Sequence, residues 1–268
     1  MPKLAAMKRS LLRLLERARL LRPAYRVFER LQSLRGRGRR VGPDGLPVPP
    51  PRLIVRVTGT ADRDWFLESG KLGADAIRDA LARNGIALEA VTGLLDFGCG
   101  CGRVTRYWRG LDGTQIAGTD LDARAVEWCR RNLPFARFDL NGLAPPLPFE
   151  DGSFDLVYAL SVFTHLSEEL QHDWTRELRR VLRPAGHLLI TTHGDAYAGR
   201  LTPAERERYD RGDVVVRWED LSGLNLCAAF HPQAYLRSRL ADGFAFVDFA
   251  PEGAKGNPRQ DLSLLRKE

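Results

Sequence analysis

The sequence predicts an α/β protein built on a doubly wound, mostly parallel sheet. Three observations carry this. Residues 94–106 read LLDFGCGCGRVTR, an apolar strand running into Asp96, followed by alternating Gly98, Gly100 and Gly102 and then a predicted helix. Such a turn brings backbone N–H groups and a helix N-terminus against a ligand, because glycine has no Cβ to block the approach. Nucleotide-type cofactors bind at turns of this kind, at the carboxyl end of a parallel sheet. The second observation is Gln115–Asp120 (QIAGTD), a short apolar strand ending in an acid 22 residues beyond Gly98. The third is the alternation of apolar strands with helical patterns that continues to about residue 195.

Taken in order, the chain opens on a basic segment. Residues 1–40 hold 13 Lys/Arg and two Glu, so they carry all of the excess positive charge of a protein whose net charge is +7. The remainder is mildly acidic. A nucleic-acid enzyme usually spreads basic groups over the body near its site, so the split argues against an RNA or DNA substrate. Within residues 1–35, Leu4, Met7, Leu11, Leu14, Ala18, Leu21, Tyr25 and Phe28 recur at spacings of three and four, with arginines on the other faces. Pro23 is expected to kink or split this helix near Arg22. The pattern suits a membrane-surface helix and equally a helix docked on the body or on a second subunit. Its arginine content also fits a mitochondrial presequence, although serine is scarce; charges break every stretch that could serve as the apolar region of a secretory signal.

Residues 36–52 are rich in Gly and Pro and read as an extended, poorly packed linker, with the body starting near Leu53 and running to 268. Trp65–Gly70 and a helix from Gly73 to Arg83 form a lead-in to the first strand. A helix over Ala123–Asn132 follows the second strand. Ala136–Leu140 is the third strand, and a turn at Pro148–Ser153 leads into the fourth. The helix around Glu177 stops at Pro184 and Gly186 and gives the fifth. Residues 195–231 interrupt this pattern with a helix at Thr202–Arg208 and a hairpin pairing Val214–Trp218 with Leu226–Phe230. An insertion at the carboxyl edge of a sheet is expected to lie over the active site as a lid. A helix at Pro232–Ala241 and strands at Phe244–Phe249 and Gln260–Leu265 close the chain.

These residues resemble the class I S-adenosylmethionine (SAM) methyltransferases. A dinucleotide fingerprint would place a third glycine at 103, where this chain has Arg103. The acid two residues before the first glycine instead matches motif I of that family, and LRRVLRPAGHLLI at 178–190 is among its recognisable stretches. The resemblance covers roughly residues 70–195. It implies a Rossmann-like, seven-stranded, mostly parallel sheet with an antiparallel C-terminal hairpin strand, and SAM as cofactor. It also implies that Asp96 and the glycines lie near the methionine end of SAM, and that Asp120 accepts from the ribose hydroxyls, with Asp122 as the alternative acid. Asp139 would face the adenine amine, with the backbone of Leu140 at the ring. Leu121 and Ser161 complete the implied cofactor contacts. Arg103 is a candidate partner for the SAM carboxylate or for a structural salt bridge, and Trp65 or Phe66 in the lead-in would touch cofactor or substrate, or serve as core aromatics.

The transferred methyl is already activated on a sulfonium, so the protein's tasks are alignment, exclusion of water and, for a hydroxyl nucleophile, a base. The fourth strand leads into ALSVFTHL. Relatives that methylate amides or exocyclic amines carry an Asn/Asp-Pro-Pro-aromatic motif at this place, and its absence counts against those targets; the expected acceptor atom is oxygen. His165 there and His193 at the end of the fifth strand are the candidate bases, and each could instead brace its turn; His231 is read as a cap or core residue. GCGCGR, SVFTHL and a terminal QDL…LRK are similar to bacterial methyltransferases that accompany glycosyltransferases, which implies a small-molecule or glycan-type acceptor. The rival readings are a protein or RNA methyltransferase that docks through its basic arm, and a non-catalytic subunit of the same fold. Four cysteines without metal spacing suit a reducing cytoplasm, and no metal-ligand cluster is evident. The expected location is therefore cytoplasmic, with peripheral contact at the inner membrane surface if the arm binds lipid.

Overall fold

A computed structural model describes residues 20–257 and 259–268. The part of the N-terminal arm over residues 1–19 lies outside the described residues. The arm's described part is α1, Leu21–Ser33, with Pro23 in its first turn, where a missing N–H costs nothing. Helix α2 spans Pro51–Thr58 and α3 spans Arg63–Arg83.

The central sheet has seven strands in the order β3-β2-β1-β4-β5-β9-β8. These are β1 (Gly93–Phe97), β2 (Gln115–Asp120), β3 (Arg137–Leu140), β4 (Phe154–Ala159), β5 (Leu182–Thr192), β8 (Phe244–Ala250) and β9 (Asp261–Lys267). β1 to β5 pair in parallel, and β9 runs antiparallel between β5 and β8. The expected doubly wound architecture with an antiparallel terminal hairpin strand is thus the observed one. Strand β1 is buried along its whole length, as a central strand covered by helices on both faces must be. On one face, α5 (Glu168–Val181) inserts Trp174 and Leu178 against Leu95, Val157 and Leu188. On the other, α3 places Ile77, Ala80 and Leu81 against Leu94, Leu156 and Leu189. Helix α4 (Ala123–Asn132) follows β2 and is capped by Asp122, whose side chain accepts from Arg124 N.

Three local expectations change. The lead-in helix starts at Arg63, not Gly73, because Asp62 caps it by accepting from the backbone of Asp64 and Trp65. Gly70 lies inside this helix, where a Cβ would overlap the Arg103 carbonyl oxygen, so the close approach of α3 to the glycine turn explains a residue that reads as a helix breaker. Secondly, no α-helix begins after Gly102. Residues 101–104 form a turn and Thr105–Trp108 a single 3-10 turn, because Arg103 and Arg106 are both buried and point to opposite anchors.

The third change concerns residues 36–52, which are not loosely packed. Leu46 and Val48 are buried, and Asp44 forms a two-point ion pair with Arg106 (Oδ2–Nε 2.7 Å, Oδ1–Nη2 2.8 Å), whose side chain is 1% exposed. Arg106 also donates to the carbonyls of Leu46 and Pro47. Proline and glycine set the course of this segment, and a buried arginine on the body holds it there.

After β5, the short helix α6 (Asp195–Ala198) leads to α7 (Pro203–Asp210), which opens with a capping box of Thr202 and Glu205. Strands β6 (Val215–Arg217) and β7 (Ala228–Phe230) form a separate antiparallel pair. The chain then runs through α8 (Gln233–Tyr235) and a π-helical stretch, Leu236–Leu240, into β8.

Candidate active site

A cavity of about 310 Å³ opens at the carboxyl ends of β1, β2 and β4. Its floor is the glycine turn. Gly98 and Gly100 have φ of 77° and 55°, and a Cβ on either would collide with Val162 or Val57 across the cavity. These two glycines are therefore required by backbone and by space together. Gly102 also has positive φ (74°), but it faces Leu133 and Cys129 behind the turn and does not line the cavity.

Asp120 at the end of β2 organises this floor. Its Oδ2 accepts from Gly100 N at 2.8 Å and its Oδ1 from Asp122 N at 2.8 Å. Each carboxylate oxygen has a second lone pair, so the group can hold the turn and still accept from a ligand's hydroxyls. Burial raises its pKa above the usual carboxylate value. Leu121 beside it lines the cavity and is 40% exposed.

Asp96 and Arg103 also line the cavity, and both are buried. Asp96 accepts from the Thr105 hydroxyl at 2.6 Å, and burial pushes its pKa up to about 6. The Arg103 guanidinium donates to the carbonyls of Ser69 and Gly256, both at 3.0 Å, and to Asn257 Oδ1 at 2.7 Å. Among the described residues neither side chain has an ion-pair partner within 4 Å. The two buried charges attract each other through space without a direct ion pair, and a cation and an anion set apart beside one cavity match the carboxylate and ammonium of an amino acid. Together with Asp120 for a ribose, this donor set fits SAM. Asp96 acts on Arg103 through space but forms no ion pair with it within 4 Å; the guanidinium's direct partners are carbonyl and amide oxygens.

Two of the expected adenine contacts lie elsewhere. Asp139 sits between Arg137 (2.6 Å) and Arg130 (3.7 Å), and Leu140 is half exposed; neither lines this cavity. Trp65 and Phe66 also separate. Phe66 is a core residue packed with Leu53 and Ile54, while Trp65 lines a second, smaller cavity of about 130 Å³ that shares Val57, Thr58, Arg103 and Asn257 with the first.

The loop after β4 supplies the opposite wall. Ser161 lines it in a left-handed conformation (φ 62°), held by three bonds: its N–H donates to Thr191 Oγ1, its Oγ accepts from Gln260 Nε2, and its carbonyl accepts from Thr164 Oγ1. His165 is half-buried on the same wall. Its Nδ1 lies 2.7 Å from the Cys227 carbonyl oxygen, and the Gly223 N–H donates to its own carbonyl. A carbonyl only accepts, so Nδ1 carries the proton and Nε2 keeps a free lone pair. Burial lowers the His165 pKa below the usual histidine value, so the ring is neutral near pH 7.

His193 differs. It is 9% exposed, stacks on Tyr197 at 4.1 Å, and lies behind the wall, its ring 6.4 Å from that of His165. Burial, with the neighbouring His165, brings its pKa down to about 3. His231 is a core residue bonded to Gln171.

Several lining residues are not legible as site residues in the sequence. Tyr25 and Glu29 reach the cavity from α1, and Arg56 from α2. Arg56 bonds Asp122 at 2.6 Å, approaches Glu29 at 3.7 Å, and accepts from Asn225 through its carbonyl. Gly223, Leu224 and Asn225 of the insertion complete the roof. No spacing in the sequence links residues 25, 56, 122 and 225.

A glycine turn and an acid-ended second strand thus stand together at the carboxyl edge of the sheet, the arrangement that the resemblance to class I SAM-dependent methyltransferases implies. Residues 95–190 match the family model described as a methyltransferase domain. Among characterised proteins, the chain is 31% identical to O-methyltransferase cnsE of Penicillium expansum over 47% of this chain and 48% of that protein. It is 34% identical to a malonyl-[acyl-carrier protein] O-methyltransferase of Enterobacter lignolyticus over 37% of this chain and 38% of that one. The chain thus spans half or less of these curated relatives. A SAM-dependent methyltransferase structure from Mesorhizobium loti superposes with a TM-score of 0.54 at 20% identity, covering 73% of this chain and all of that one; this likeness is one of fold.

Proposed function

We propose that this chain transfers the methyl group of SAM to an oxygen of a small-molecule or glycan-type acceptor, with His165 as the general base. The observation that carries this reading is an imidazole on the cavity wall, its Nδ1 2.7 Å from the Cys227 carbonyl oxygen, which leaves Nε2 to accept a proton. SAM when bound supplies an activated methyl group. The protein's part is to hold the amino-acid end through Asp96 and Arg103 and the ribose through Asp120. The roof of α1, α2 and residues 223–225 keeps water from the nucleophile, and Nε2 takes up the hydroxyl proton. Ser161, fixed by Thr191 and Gln260, positions the loop that carries His165.

The roof favours a small acceptor over a folded protein or RNA, because Tyr25, Arg56 and Asn225 close over the cavity from three separate segments. We assign residues 195–231 the role of selecting the acceptor. The named relatives include O-methyltransferases acting on malonyl-acyl-carrier protein and on tocopherol, which is in keeping with oxygen. Among the described residues no helix is long and apolar enough to cross a membrane. A cytoplasmic enzyme working beside a membrane on lipid-linked material agrees with the basic α1.

The test has two stages. Calorimetric titration of the full chain with SAM and S-adenosylhomocysteine is expected to give micromolar binding; a folded protein that binds neither would overturn the reading. With an acceptor from a panel of small hydroxylated compounds, His165→Ala is expected to lower kcat about 10²–10⁴-fold while cofactor affinity holds. The lowered pKa of His165 fixes the pH profile as well. The base is unprotonated above its own pKa, so the acidic limb of kcat/KM should fall below about pH 6.5. Unchanged turnover in His165→Ala would remove the base from the mechanism.

A further inference from the structure

We propose that the outward face of α1 is a docking surface for an anionic lipid bilayer. At 3.6 residues per turn, Leu20, Val27, Leu31 and Leu34 fall along one stripe with Phe28 beside it. All five are exposed, Leu34 at 79% and Phe28, the least, at 44%. Isolated apolar residues on a surface are ordinary, but a contiguous stripe of five marks an interaction site.

The charge on the helix is arranged around this stripe. Arg30 flanks it on one side and Arg35 on the other, with Arg26 a turn away; among the described residues none of the three forms an ion pair within 4 Å. The helix's one acid, Glu29, lies on the opposite face, turned inward to Arg56 and the cofactor cavity. The inward face is anchored: Leu21 is buried, and Arg22 donates to the Asp220 carbonyl at 2.6 Å. A helix fixed on its polar-contact side, with an apolar stripe bordered by arginines on its free side, matches the interfacial region of a membrane, where acyl chains lie beneath anionic headgroups. A second protein copy presents the same arginines to itself and so meets like charge. Charge complementarity therefore selects an anionic surface.

The proposal deepens the functional reading, on which it rests for its meaning. The same helix contributes Tyr25 and Glu29 to the cofactor cavity, so docking sets the cavity's roof beside the headgroup layer, where the acceptor end of a lipid-linked substrate lies.

The test is flotation of the full chain with vesicles of phosphatidylglycerol and phosphatidylcholine, and with vesicles of phosphatidylcholine alone. Recovery is expected with the anionic vesicles only, and should weaken as salt is raised. The double substitution Val27→Gln with Leu31→Gln keeps every charge and should lower the partition about tenfold or more. Replacing Arg26 or Arg30 with Gln should lower it about fivefold each. Equal recovery on neutral vesicles, or wild-type recovery of the Val27/Leu31 variant, overturns the proposal. So does a dimer in light scattering that this variant dissolves without any vesicle binding, because the stripe would then belong to a second copy. S-adenosylhomocysteine titration of the same variant should match wild type, since Val27 and Leu31 do not line the cavity. Failure of cofactor binding in the wild-type chain would instead strike the functional reading, independently of the vesicles.

Discussion

Asp44→Asn is expected to destabilise the protein by about 3 kcal/mol, the cost of leaving a buried charge without its partner. The estimate turns on burial. Arg106 is 1% exposed, and Asp44 is its carboxylate, bound through both oxygens. Hydrogen bonds to the Leu46 and Pro47 carbonyls remain in the variant, but they do not neutralise the guanidinium. Urea unfolding should show a lower midpoint with an unchanged slope. A loss under about 0.5 kcal/mol, the level of an exposed pair, would mean that the guanidinium finds water. The pH dependence follows from Asp44. Burial acts to raise its pKa, but the bonds from Arg106 and Leu46 N outweigh that and hold it below the ordinary value. A carboxyl with a depressed folded-state pKa contributes fully above its unfolded value of about 3.9 and loses its contribution as pH falls through the folded one. Wild type and variant should therefore converge only in strong acid.

Asp120→Ala is expected to weaken SAM and S-adenosylhomocysteine binding by 100-fold or more. Two hydrogen bonds from ribose hydroxyls to a carboxylate are worth about 1.5–3 kcal/mol each. The substitution also releases the Gly100 and Asp122 N–H groups that shape the floor of the site. Asp120→Asn separates these contributions. It keeps one carbonyl oxygen, so it should preserve thermal stability better than affinity. Because burial raises the Asp120 pKa, and the protonated acid loses an acceptor, cofactor affinity should begin to fall with acidification above pH 3.9. Wild-type affinity in Asp120→Ala would assign the ribose to another group, with Asp122 the nearest candidate.

The contrast between Asp120 and Arg56 marks how far the sequence could be read. Asp120 is legible because it ends a period-two apolar strand at a fixed distance from a glycine turn, and both features are local. The hairpin of β6 and β7 is legible in the same local way. Arg56 carries no local sign. It matters because folding brings Asp122, Glu29 and Asn225 to it. The helix expected after Gly102 fails to form for a related cause: local propensity favours it, and two buried arginines drawn to distant carbonyls and to Asp44 override it. Residues 36–52 read from composition as an extended linker, although one long-range ion pair fixes residues 42–49 within it. His165, in the loop after the fourth strand, and His193, at the end of the fifth, look equally suited as bases in sequence. Only the packing of Tyr197 and Phe230 around His193 separates a wall residue from one behind the wall.

The place of β9 has a consequence for how the protein is made. This strand holds residues 261–267 and lies between β5 and β8, pairing with both. On the ribosome, β5 therefore emerges and folds beside β4 well before its other neighbour exists. Until residues 261–267 are synthesised, the run Leu188-Leu189-Ile190 stands at an open sheet edge with unpaired N–H and C=O groups, a template for another chain. A nascent chain stalled before Asp261 exposes that edge permanently.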